Sequence, residues 1–188
     1  FLGHTSYAVV AVLVAFMGGL ALGNAWCGGR ADRSRRPLRL YAQLELGIGL
    51  YALAFPAYYS FCDASFVALA RHLTPGSGAL LGLKFAFSLL TILPPTVLMG
   101  ATFPVLTRFA TRSLAELQPR VAALYAINSA GAVAGCLLAD FWWIPTFGLP
   151  ATVVAGAATN LLVGAVAWGL SIRIRGGAEP HPLVVPPS

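Results

Sequence analysis

Charged residues are scarce in this sequence of 188 residues. Asp, Glu, Lys and Arg together make up 10% of the chain, whereas hydrophobic residues make up 58%. An ordinary soluble domain carries about a quarter charged residues, so this composition excludes that class. The mean hydropathy of +0.78 points the same way. The composition therefore predicts a single-domain integral membrane protein surrounded by membrane lipid.

The residue types that build most catalytic and metal sites are also few. The three cysteines, Cys27, Cys62 and Cys136, form no CxxC pair, and the three histidines lie far apart in the sequence. No two carboxylates share a helical face, and no nucleophile elbow is present. We therefore expect no disulfide framework, no metal site, no cofactor and no catalysis within these residues.

Long apolar runs fill most of the chain, and their lengths suit helices that cross a ~30 Å hydrocarbon core. One run, VAALYAINSAGAVAGCLLADFWWIP at 121–145, is interrupted by only two strongly polar residues, Asn128 and Asp140. The sequence predicts an all-α, polytopic transmembrane helix bundle over 1–175. Its expected spans, about five in number, are 6–25, 38–61, 79–109, 121–144 and 151–174.

Proline and glycine mark the expected interruptions between and within these spans. Pro94 and Pro95 remove two backbone donors, which predicts a kink and requires neighbouring groups to satisfy the freed carbonyls. Asp63 is expected to cap a short surface helix that ends before Pro75. Residues 176–188 are Pro-rich and predict a linker or a disordered tail.

The basic residues are grouped beside the spans, as orientation signals are. With the amino terminus outside, Arg71 lies outside and Lys84 lies within a span, while every other basic residue lies inside. Those residues are Arg30, Arg33, Arg35, Arg36, Arg39, Arg108, Arg112, Arg120, Arg173 and Arg175. This asymmetry predicts a cytoplasmic carboxyl terminus, and the pattern does not favour nucleic acid as a partner.

Two spans carry glycines four residues apart. Gly19 and Gly23 lie in the first span, and Gly131 and Gly135 lie in the fourth. Small residues at this spacing let helix backbones approach closely in a membrane, where lipid removes the usual hydrophobic driving force. Both glycine pairs are predicted helix-packing faces, within one chain or between copies in a homo-oligomer.

Polar side chains inside the spans are the candidate binding groups. Glu45 is expected to face the bundle or water, either to bind a cation or relay a proton, or as a structural partner of the first loop or Asn128. Asp140 either pairs with Lys84 or lies among wet headgroups. Asn128 and Asn160 suit interhelical hydrogen bonds or ligand binding.

The loop after the first span resembles the signature loop of the major facilitator superfamily, G-x-L-a-D-r-x-G-r-k. Gly28, Asp32, Arg33 and Arg36 match that pattern, as does the alanine before the aspartate. Arg30 stands where the pattern has leucine, and Arg35 stands where it has the second glycine. The resemblance implies that the bundle is similar to half of a facilitator fold.

Most of the chain also resembles the membrane half of the spermidine synthase-like polytopic proteins. The resemblance is carried by AFMGGLALGNAWCGGRADRSRRPLRLYAQLELGIGLYAL, LPPTVLMGATFPVLTR and LYAINSAGAVAGCLLADFWWIPTFGLPAT. That family implies a bacterial or archaeal cell membrane, a preceding span, and a soluble aminopropyltransferase-like domain with a Gly-rich nucleotide loop. No such loop is present here, because GGLALG lies within a span.

Two functions follow as expectations. The first is a non-catalytic membrane module of the spermidine synthase-like family that binds or moves a small cation such as a polyamine, with Glu45, Asp140, Asn128 and Asn160 as candidate ligands. The second is a structural membrane protein that self-associates into a homo-oligomeric, lipid-containing assembly.

Overall fold

A computed structural model describes residues 6–74, 76–111 and 114–174, and the regular structure in these ranges is entirely helical. The predicted tail, Arg112 and Arg175 lie outside the described residues. The helices are α1 (Ser6–Arg33), α2 (Pro37–Ala70), α3 (Gly78–Ala110), α4 (Leu114–Leu138) and α5 (Ile144–Arg173), with a π-helical turn at Ala139–Trp143 between the last two. The predicted all-α class is confirmed.

Four helical stretches are long and apolar enough to cross a membrane. They are Val9–Arg33, Pro37–Ala70, Gly78–Ala110 and Gln118–Arg173. Large apolar side chains on every one of these stretches are exposed, so lipid rather than water matches their outer surface. The finding supports the predicted integral membrane protein, and the fourth stretch contains both of the last two predicted spans.

The second helix is longer than the predicted span and absorbs the expected surface helix. Asp63 lies inside α2, which continues to Ala70, so the prediction that Asp63 begins a separate helix was wrong. The physical reason is that 62–70 contains no glycine or proline to end the helix, and an aspartate alone does not break one. α2 is therefore longer than a helix needs to be to cross the hydrocarbon core of a membrane.

Contacts between the helices define their relative directions. Positions on α1 and α3 advance together, from Gly19 against Thr96 to Gly23 against Ala101, so these two helices run parallel. On α2 and α5 the order reverses, because Gly49 contacts Ala157 and the preceding turn of α2 contacts Gly164. α2 is also antiparallel to α3, so α1, α3 and α5 point the same way.

The core between these helices is built mostly from small side chains. One buried cluster joins α1, α2 and α3 and contains Cys27, Ala31, Leu44, Ala101 and Val105. A second cluster joins α2 and α5 through Leu38, Ala42 and Ala167. Small residues allow close backbone approach, so the contacts are mainly van der Waals contacts between helix surfaces.

The fourth helix lies at the edge of this bundle. The Tyr125 ring, near the middle of α4, meets the Phe103 ring of α3 edge to face, with centroids 6.5 Å apart. No side chain from 118 to 138 is buried. α4 therefore leaves the bundle after its contact with α3, and its outer surface is open along almost its whole length.

A glycine interrupts the helical stretch that contains α4 and α5. Gly148 has φ 79° and ψ 165°, a backbone conformation that is essentially restricted to glycine. Pro150 follows two residues later and lacks a backbone donor. The chain therefore changes direction at Gly148, and the helical segments before and after this residue have different axes.

Candidate functional site

Two prolines and two tyrosines meet at the contact between α2 and α3. Pro94 and Pro95 lie inside α3, and because proline has no N–H, the carbonyls of Leu90 and Thr91 lose their helical donors. The Tyr58 hydroxyl donates to the Leu90 carbonyl, at 2.9 Å.

The second freed carbonyl has its own donor from α2. The Tyr51 hydroxyl donates to the Thr91 carbonyl, also at 2.9 Å. Each carbonyl released by the proline pair is thus satisfied by one tyrosine, as a polar group in hydrocarbon requires. The α2–α3 contact is therefore specified by two directional bonds as well as by packing.

The first glycine face is filled by a neighbouring helix. A Cβ placed on Gly19 would overlap the Thr96 hydroxyl, and one placed on Gly23 would overlap the Val97 carbonyl oxygen. From the other side, Gly100 faces the backbone of Leu20 equally closely. The backbones of α1 and α3 meet at Gly23 and Gly100, while Gly19 accommodates the Thr96 side chain, and only glycine leaves room for these contacts.

In the part of the chain that the structure describes, no neighbouring helix covers the second glycine face. A Cβ placed on Gly131 or Gly135 would meet nothing within 4 Å. Asn128, one turn earlier on α4, is exposed as well. The same four-residue glycine spacing is therefore occupied on α1 and unoccupied on α4.

The four candidate polar ligands do not converge on one site. Glu45 is buried in α2, at 9% exposure, one helical turn after Tyr41. Asn160 is half-buried on α5, between residues that contact α2. Asn128 and Asp140 are exposed on α4 and the π-helical turn, away from both.

The structure brings no ion pair to Asp140. In the described part of the chain no salt bridge joins it to Lys84, which is half-buried on α3. Asp140 instead lies beside the exposed rings of Phe141 and Trp142, which are typical of a membrane boundary. No group of three His, Cys, Asp or Glu side chains among the described residues is placed to hold a metal ion.

The loop that resembles the facilitator signature borders a cavity of about 610 Å³ between the end of α1 and the start of α2. Arg33 lines this cavity, whereas Gly28, Asp32 and Arg36 do not. The cavity is lined by Ala25, Trp26, Gly29, Arg30, Arg33, Ser34 and Leu40. A smaller cavity of about 110 Å³ lies nearby and includes Arg36.

Two arginines stack on tryptophans at this end of the bundle. The Arg30 guanidinium lies 4.3 Å from the centre of the Trp26 ring, and the Arg39 guanidinium lies 4.5 Å from that of Trp168. The spacing of the first pair, four residues on one helix, is a signal available in the sequence. The second pair joins α2 to α5, and nothing in the sequence indicates it.

Comparisons with protein-family models, with curated proteins and with solved structures find no match to this chain.

Proposed function

We propose that this chain is a non-catalytic membrane module that self-associates through the exposed face of α4. The observation that carries the proposal is the contrast between two similar glycine faces. Gly19 and Gly23 touch a neighbouring helix, whereas a Cβ added to Gly131 or Gly135 would meet no described residue within 4 Å. Small-residue faces of this kind bring helices together by close packing in lipid, and a second copy offers the same face.

The proposed topology has five crossings and resembles half of a facilitator fold. Its support is the break at Gly148 together with the contacts of the helices, since α5 runs antiparallel to α2 and α4 contacts α3 through Tyr125 and Phe103. α4 then leads outward and α5 returns. The basic ends at Arg33, Arg120 and Arg173 fall on one side, which the positive-inside rule assigns to the cytoplasm together with the carboxyl terminus.

The proposed family is that of the spermidine synthase-like polytopic proteins, in a bacterial or archaeal cell membrane. Its support is the sequence resemblance from the first loop through the proline pair to the fourth span. The membrane half of such a protein is the part without the aminopropyltransferase-like domain, which agrees with a module that performs no chemistry itself.

Replacing Gly131 and Gly135 together with leucine should convert the assembled protein to monomers. Two leucine side chains on this face hold a partner backbone several ångströms further away, which removes the close contacts that drive association. The expected loss of affinity is at least on the order of tenfold. Energy transfer between labelled copies in lipid bicelles measures it.

The matched control places leucine at Ala122 and Ala126, which have the same spacing and are also exposed. At 100° per residue these positions lie on the opposite side of α4 from the glycines. Association of the control should equal that of the unmodified chain. A monomeric unmodified chain, or equal loss in both variants, would contradict self-association through this face.

Cation binding is a second candidate, favoured by the burial of Glu45 inside the bundle. An ionisable group at such a position is expensive and is commonly placed for ions or protons. Against it, the other candidate ligands lie elsewhere, and the described cavities are lined by arginines.

If Glu45 binds a polyamine, Glu45→Gln should weaken spermidine binding by at least on the order of tenfold, because it removes the charge and keeps the shape. Calorimetric titration of the purified protein measures the affinity. Asp140→Asn is the control, since Asp140 is exposed and distant. Unchanged spermidine affinity in Glu45→Gln would exclude Glu45 as the ligand.

A further inference from the structure

The cavity at the end of α1 carries positive charge that no acidic side chain neutralises. Arg30 and Arg33 line it, and in the part of the chain that the structure describes neither arginine forms an ion pair. Asp32 lies between them in sequence but is exposed and does not line the cavity. The cavity therefore attracts an anion and repels a cation.

One hydrogen-bond donor group of this cavity, the Arg30 guanidinium, is already held in place. One Arg30 nitrogen donates to the Trp26 carbonyl at 2.9 Å while the guanidinium stacks on the Trp26 ring. The remaining N–H groups of that guanidinium are left for a ligand. Ser34 accepts a bond from the Arg36 backbone N–H at 3.2 Å, so its own hydroxyl proton is also left to donate.

The position of the cavity along α1 selects the source of the anion. Its wall begins at Ala25, inside the stretch Val9–Arg33 that is apolar enough to span a membrane. Leu22 and Trp26 are both 55% exposed on the same helix, one to two turns before Arg30, towards the membrane interior. A ligand with a phosphate at the level of Arg30 and hydrocarbon at the level of Leu22 fits both surfaces.

We propose that this cavity binds the phosphate group of an anionic phospholipid, with an acyl chain lying along Leu22 and Trp26. Guanidinium groups bind phosphate through charge-assisted and often paired hydrogen bonds, and basic pockets at membrane boundaries select acidic lipids. The inference rests on the membrane-spanning role of α1 and is independent of self-association through α4.

The test titrates the purified full chain with dioleoylphosphatidylglycerol, dioleoylphosphatidylcholine or glycerol 3-phosphate and counts bound molecules by native mass spectrometry. We expect the unmodified protein to retain phosphatidylglycerol in preference to phosphatidylcholine. In Arg30→Gln with Arg33→Gln, phosphatidylglycerol affinity should fall by on the order of tenfold or more. Arg35→Gln is the charge control, because Arg35 is in the same loop and lines neither cavity.

A second pair of variants tests the cavity itself. Gly29 lines it and Gly28 does not, and at both positions a Cβ meets nothing within 4 Å. Gly29→Leu should fill the space and weaken phosphatidylglycerol binding, whereas Gly28→Leu should leave it unchanged. Arg33→Gln alone serves if the double variant does not fold, because the Arg33 side chain makes no hydrogen bond or ion pair with other described residues.

Three results would overturn the proposal. Equal weakening in Arg35→Gln would show a general effect of net charge. Equal affinity for phosphatidylcholine and phosphatidylglycerol would show that the net negative charge of an anionic headgroup is not recognised. Displacement of phosphatidylglycerol by glycerol 3-phosphate at equal concentration would show that a soluble phosphate compound, and not a lipid, is the ligand.

Discussion

Replacing Gly23 with leucine should separate α1 from α3 and lower the free energy of unfolding by about 3 kcal/mol or more, the upper part of the range for overpacked cores. The reason is that a side chain at position 23 would collide with backbone atoms of α3. A Cβ at Gly23 would overlap the Val97 carbonyl oxygen and lie 2.9 Å from the Ala101 nitrogen. Neither group can move without moving α3. Titration of the protein with SDS in mixed micelles measures the unfolding free energy.

Gly18→Leu is the matched control for this prediction. Gly18 is on the same helix, and a Cβ there would meet nothing within 4 Å. The control side chain enters lipid, so its unfolding free energy should equal or slightly exceed that of the unmodified chain. Equal destabilisation by the two leucines would mean that α1 and α3 are not in backbone contact at Gly23.

Replacing Tyr51 and Tyr58 together with phenylalanine should lower the free energy of unfolding by about 3 kcal/mol. Interhelical hydrogen bonds in membranes average about 0.6 kcal/mol and reach about 1.7 kcal/mol, because helices separated in lipid find other partners. The carbonyls of Leu90 and Thr91 have no such alternative within their own helix, since Pro94 and Pro95 supply no donor. Each bond is therefore expected at the upper end.

A double-mutant cycle isolates this mechanism from general packing. Pro95→Ala restores an N–H for the Thr91 carbonyl, so Tyr51→Phe should cost much less in the Pro95→Ala protein than in the unmodified one. Tyr125→Phe, on exposed α4, is the control and should be neutral. A cost of Tyr51→Phe that is the same with and without Pro95 would contradict the proposed role of the tyrosine hydroxyl.

The helices follow from the sequence because their cause is local. The apolar runs are long enough to cross a bilayer core and are separated by basic loops. In lipid, such a run satisfies its backbone hydrogen bonds by forming a helix. The need for hydrogen-bond donors at Pro94 and Pro95 is local too, because each proline leaves the carbonyl four residues before it without a helical donor. The fate of Asp63 was predicted wrongly, because a capping residue indicates a helix start only where the preceding helix has already ended.

The partners of these groups are not local, and the sequence does not supply them. Tyr51 and Thr91 are 40 positions apart, and nothing in the pattern of α2 distinguishes Tyr51 as a donor. The two glycine faces have the same spacing, yet Gly23 touches α3, whereas a Cβ added to Gly135 would meet no described residue within 4 Å. Spacing predicts that a helix can pack closely, whereas which helix it meets depends on the arrangement of the whole bundle.

The dispersed polar residues show the same limit. Glu45, Asn160 and Asp140 each stand out in an apolar run for the same reason, the cost of a polar group in lipid. The structure gives them different surroundings, since Glu45 is buried beside Tyr41, Asn160 is half-buried and Asp140 is exposed. The same energetic cost of a polar group in lipid therefore does not place these three residues in one site.

The most direct measurement of the membrane topology is the sidedness of single cysteines in intact cells. Cys136 is exposed and is first replaced by serine, whereas Cys27 and Cys62 are buried and can remain. Cysteines are then placed one at a time at the ends of the helices and treated with a reagent that does not cross membranes. The positions are Ser34, His72, Arg120, Thr146 and Ile174.

Five crossings with a reversal at Gly148 predict that His72 and Thr146 are labelled from outside, and that Ser34, Arg120 and Ile174 are labelled only after the membrane is opened. Labelling of Arg120 and Ile174 from opposite sides would mean that Gln118–Arg173 crosses only once. That result would contradict the proposed topology.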